Sequence, residues 1–88
     1  MAAGYTVIKS DMAIYKDGDG ILGCNMSGLP DDFWALQWDG SNGHIEYVGN
    51  VKENLIVSSK SQIESALGVS LPTLIARRDA RIAELSEE

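Results

Sequence analysis

The chain changes character at Ser58. Upstream, Gly, Asp and Asn interrupt apolar stretches too short for helices; downstream, Ala, Leu, Glu and Arg recur at helical spacing. Such a division predicts an α+β fold: a small antiparallel sheet of short hairpins over about residues 5–57, followed by two helices over about residues 61–67 and 71–85. With 88 residues, the chain has room for a single domain. A domain of this size buries only about 60–65 % of its unfolded surface, so its core is small. Cys24 is the sole cysteine, which leaves no internal disulfide, and one Cys with one His falls short of a structural zinc site. Self-association or docking onto a partner is the remaining source of extra stability.

Residues 5–9 and 12–15 read as strands joined by a tight turn at Ser10-Asp11. Residues 16–20, Lys-Asp-Gly-Asp-Gly, form a strong hairpin-turn signal, because Asp-Gly supplies positive φ. A short third strand is expected over residues 21–24, then a loop through Pro30. Residues 33–38 alternate so that Trp34, Leu36 and Trp38 share a face. Across the Asp39–Gly43 turn, Ile45 and Tyr47 share a face, with His44 and Glu46 on the other. In this hairpin Trp34 and Trp38 are expected beside Ile45 and Tyr47 as cross-strand pairs. Trp34 and Leu36 are assigned to the core. Trp38 suits either core or surface, since Trp is seldom fully buried and often anchors interfaces. Gly49-Asn50 reads as a further turn and residues 55–57 as a last strand.

In the helical part, Ser61 and Glu64 have the spacing of a capping box, and Gly68 suits a left-handed stop. Ser70 caps the second helix, with Pro72 tolerated in its first turn. Leu71, Leu74, Ile75, Ile82 and Leu85 form an apolar stripe interrupted by Arg78. Arg77, Arg78 and Arg81 make a local positive cluster, either a solvated helix face or an interface patch. Glu84, Glu87 and Glu88 carry the wrong sign for a helix C-terminus, so the end is expected to fray.

The chemistry-bearing residues are sparse. Counting from Asp17, a calcium loop of the EF-hand type would need Gly at the sixth position and Glu at the twelfth; the chain has Leu22 and Gly28. Cys24 and His44 lack an evident third member for a nucleophilic triad. Asp31 and Asp32 are adjacent, so on an extended chain they point to opposite faces. No glycine-rich phosphate loop precedes a helix. No catalytic, cofactor-binding or metal-binding residue is assigned, and no enzymatic activity is expected.

The net charge of −6 and the scattered acids Asp11, Asp17, Asp19, Asp31, Asp32, Asp39 and Glu46 argue against binding nucleic acid or an anionic membrane. The first residues have neither a basic region nor an apolar core, so no signal peptide is expected. A lone cysteine suits a reducing, intracellular place of synthesis.

Residues 21–48, and above all Leu29-Pro30, Trp34-Ala35-Leu36-Gln37-Trp38-Asp39-Gly40 and Gly43-His44-Ile45-Glu46-Tyr47, resemble small proteins of tailed bacteriophages and prophages encoded near tail-fibre genes. The similarity lies in an apolar-Pro step, an aromatic, Ala-Leu-Gln-Trp, a glycine turn, then an apolar residue with Glu and an aromatic. It implies a tail-associated structural or assembly protein, chaperone-like, with no cofactor. Its partner would be a tail or tail-fibre protein, and its place the host cytoplasm during assembly or the virion tail. A small symmetric oligomer is compatible. The candidate interface residues are Trp34, Trp38, Tyr47, Arg77, Arg78 and Arg81. The alternative is a small acidic inhibitor of a host or defence complex.

Overall fold

A computed structural model describes residues 4–49 and 52–86. Six strands, β1 (Tyr5–Ile8), β2 (Ala13–Lys16), β3 (Asp19–Ile21), β4 (Phe33–Trp38), β5 (Gly43–Tyr47) and β6 (Leu55–Val57), precede α1 (Lys60–Leu67) and α2 (Leu71–Ser86). The strands form one antiparallel sheet in the order β3-β2-β1-β4-β5-β6. It consists of two three-stranded meanders lying side by side, joined along β1 and β4. The expected α+β architecture is thus present.

One row of side chains, Val7, Ile14, Leu36 and Ile45, crosses the four central strands in register and is fully buried. It meets Ile63 and Leu67 of α1 and Leu71 and Leu74 of α2, all removed from solvent. Burying each such side chain contributes about 1.5–3 kcal/mol, so this row is the main source of cohesion. The opposite face of the sheet, with Thr6, Ile8, Tyr15, Gln37, His44, Glu46 and Ile56, carries neither helix.

The first hairpin turns on Asp17-Gly18 alone. Both sit at positive φ (50° and 88°), the type I′ geometry that matches strand twist. Asp19 and Gly20 therefore enter β3, which lies two residues earlier than expected and stops before Leu22 and Cys24. Gly20 is opposite Tyr15, and a Cβ there would run into the Tyr15 ring. The β1–β2 turn extends to Met12, also at positive φ (50°), so β2 begins one residue later than expected.

The largest departure is in β4. Phe33 pairs with Tyr47 while Ala35 pairs with Glu46, leaving Trp34 as an extra residue in a β-bulge. The bulge resets the alternation: Phe33 takes the core position at 1 % exposure and Trp34 is 45 % exposed. The assignment of Trp34 to the core is corrected accordingly. The cross-strand partners also change, since Leu36 faces Ile45 and Trp38 faces Gly43.

The cap of α1 is Ser59, not Ser61. Its side chain accepts from the Gln62 N–H, and Gln62 Oε1 reaches back to the Ser58 N–H. This is a variant of the capping box in which the glutamine reaches the residue before the cap instead of the cap itself, and it lies two residues earlier than the Ser61/Glu64 pair. Gly68 ends the helix as expected, in the left-handed region with its N–H on the Glu64 carbonyl at 2.8 Å. Ser70 caps α2 by accepting from the Thr73 N–H. Asn50 of the expected 49–50 turn, and Glu87 and Glu88 of the fraying end, lie outside the described residues.

Candidate functional site

The bulge lifts Trp34 into a shallow cleft of about 330 Å³ shared with Tyr47, Val48 and Gly49. The cleft lies where β4 begins and β5 ends. Val48 is half exposed, and its N–H donates to the Asp32 carbonyl at 2.8 Å, which ties the end of β5 to the approach to β4. Asp32 in turn accepts from Lys52 at 2.7 Å, and the Lys52 ammonium stands 4.7 Å from the centre of the Tyr47 ring. The Lys52 hydrogen bond holds the Asp32 carboxyl below the usual carboxylate range and pushes the Lys52 pKa up. An indole, a phenol, an isopropyl group and a neutralised charge pair thus converge on one end of the sheet. Such a group can receive an apolar or aromatic side chain from a partner, with the ion pair at its rim.

The other candidate residues are employed inside the molecule. Trp38 is 6 % exposed and packs in the core. Arg78 is equally buried and continues the stripe begun by Leu71 and Leu74 instead of interrupting it. Its guanidinium donates to the Ile14 carbonyl at 3.3 Å, the Asp19 carbonyl at 3.1 Å and the Asp19 carboxylate at 3.3 Å. Arg77 donates to the carbonyls of Asn25 and Ser27, and Arg81 to that of Leu22 and to Glu84. The three arginines fasten α2 to β2, β3 and the segment that returns from β3 to β4. Lys9 fastens the far end of that segment at the Pro30 carbonyl, 2.9 Å away. The expected cluster is real in sequence but is divided among internal contacts in space.

Cys24 is fully buried, and its thiol points at the Ile21 carbonyl, 3.3 Å away. Burial pushes its pKa up, away from the thiolate a nucleophile needs. His44 lies on the open face of β5, 3.4 Å from Glu46 two residues along the same strand. Among the described residues, no three His, Cys, Asp or Glu side chains are grouped so as to hold a metal ion, and no helix is long and apolar enough to cross a membrane. Sequence reasoning missed Val48 and Gly49 as lining of the cleft and Lys52 as the partner of Asp32 and Tyr47 beside it; the two adjacent aromatics Phe33-Trp34 were the available sign that one of them must leave the core.

No family model, curated protein or solved structure matches this chain.

Proposed function

We propose that this is a non-enzymatic, tail-associated structural or assembly protein of a tailed bacteriophage, and that it holds its partner through the Trp34 cleft. The exposure of Trp34 beside Tyr47 and Val48 is the observation that carries the binding reading. A large aromatic at a strand bulge costs solvation and adds nothing to the core, whereas Trp and Tyr are the side chains that most often dominate interface energy. The tail assignment rests on the resemblance of residues 21–48 to phage proteins encoded near tail-fibre genes.

The test is capture of purified tail and tail-fibre proteins by the immobilised chain. Trp34→Ala is expected to abolish capture while leaving the unfolding midpoint within the range of surface substitutions, about 0.5 kcal/mol. Trp34 is also the more exposed of the two indoles, so its fluorescence should shift to the blue when the partner covers it. Capture that survives both Trp34→Ala and Tyr47→Ala would remove the cleft from consideration. Capture of a basic nucleic-acid-handling protein instead, lost at high salt, would favour the acidic-inhibitor alternative.

A further inference from the structure

The two edges of the sheet are built differently. β3 is a short edge that carries Asp19, follows Lys16 and Asp17, and is clamped by Arg78 of α2. Charge and cover of this kind discourage an added strand. β6, at the other edge, is Leu55-Ile56-Val57 with no charge inside it, and Leu55 and Ile56 are 41 % and 72 % exposed. An apolar edge with open N–H and C=O groups is a template for pairing.

We propose that β6 pairs antiparallel with β6 of a second copy of this chain, so that two sheets become one continuous sheet in a two-fold dimer. This goes beyond the function proposed above and does not involve the Trp34 cleft. The segment is self-complementary about Ile56. A two-fold axis there places the two Ile56 side chains against each other on the open face and sets Leu55 of each copy opposite Val57 of the other on the helix face. Along this edge, between β6 and α1, lies a cleft of about 260 Å³ lined by Leu55, Ile56, Val57, Gln62, Ser65 and Ala66, which the incoming strand would cover.

Charge selects a second copy and fixes its direction. Glu53 and Lys60 flank β6 at opposite ends, both exposed, and neither has an ion-pair partner among the described residues. Antiparallel pairing brings each Glu53 to the Lys60 end of the other copy, twice by symmetry; parallel pairing would set like against like. Lys52, the other nearby cation, is already neutralised by Asp32. These rim contacts add little affinity but set orientation. Each chain carries −6, so moderate salt should strengthen the dimer by screening long-range repulsion, the reverse of its effect on a basic partner.

Light scattering and sedimentation equilibrium across a concentration series test this. The wild type is expected to approach twice the 9.5 kDa chain mass. Ile56→Lys, which sets two ammonium groups together on the axis, should return the single-chain mass with unchanged circular dichroism. Should that variant fail to fold, Ile56→Cys gives an independent reading: mild oxidation should link it covalently to a second copy, while Ser41→Cys on the exposed hairpin stays unlinked. Buried Cys24 does not compete. Trp34→Ala should leave the dimer intact, which separates this inference from the cleft. A wild type that stays single at every soluble concentration, a dimer indifferent to Ile56→Lys, or an Ile56→Cys variant that does not cross-link would overturn it.

Discussion

Arg78 shows how one side chain can belong to the core and still be charged. Its aliphatic stem fills the stripe below Leu74, and its planar head reaches two carbonyls and a carboxylate, so the buried donors are satisfied. Arg78→Ala removes the stem and leaves the Ile14 and Asp19 carbonyls without these donors. A loss of about 2–3 kcal/mol is expected, read as a lower urea midpoint. Arg78→Lys should recover only part of it, because a single ammonium cannot span the fork. Asp19→Asn should cost less than about 1 kcal/mol, since that carboxylate is 81 % exposed. Cys24 illustrates the opposite use of burial. Its thiol should resist iodoacetamide in the folded protein and react once urea unfolds it; rapid native labelling would contradict the packing around it.

At the level of elements, the β4–β5 hairpin is the most tightly specified. Asp39 accepts from the Ser41 and Asn42 N–H groups at 2.8 and 2.7 Å, closing the four-residue loop. Gly43 follows because a Cβ there would overlap the Gln37 carbonyl across the strand pair. Gly43→Ala should therefore separate β4 from β5 locally and cost more than Gly18→Ala, whose Cβ meets open space and which is strained only by its positive φ. Comparing the two midpoints checks the order. The alternation of residues 44–47, the Asp-Gly turn and the Gly68 stop were all legible, because each is a local property of residue type and spacing, whereas Gly43, read as part of the turn, opens β5. The bulge was not legible: an unbroken period-two pattern runs through Trp34, Leu36 and Trp38 and leaves Phe33 out of phase, and only the extra residue in β4 returns Phe33 to the core side. The choice is made by Tyr47 and Glu46 on the neighbouring strand. The roles of the three arginines were equally hidden, since their acceptors are backbone carbonyls 50 to 64 residues away, and a carbonyl has no signature in sequence.

For the whole molecule, the acid limb of stability follows from two carboxylates. Lys52 holds the Asp32 pKa down, and the Asn42 and Ser41 amides hold that of Asp39 down. Below the ordinary carboxylate range the unfolded chain binds these protons more readily than the folded one. Their contribution is therefore complete above about pH 4 and is lost as pH falls through the folded values. Urea midpoints should drop between pH 5 and pH 2.5, and the drop should shrink when Asp32→Asn and Asp39→Asn are combined. Long-range fastening shapes the molecule too, for the segment from β3 back to β4 crosses from a sheet edge to its centre. Arg77, Arg81 and Lys9 grip it through the oxygens of Leu22, Asn25, Ser27 and Pro30. Main-chain oxygens are common to every amino acid, so these attachments are blind to what the segment spells. Leu22 and Ser27 face water and could be rewritten without releasing it, while Asn25, whose side chain accepts from the Ser27 N–H at 2.9 Å, is kept; this makes the stretch a natural place to graft a new recognition sequence onto an unchanged frame.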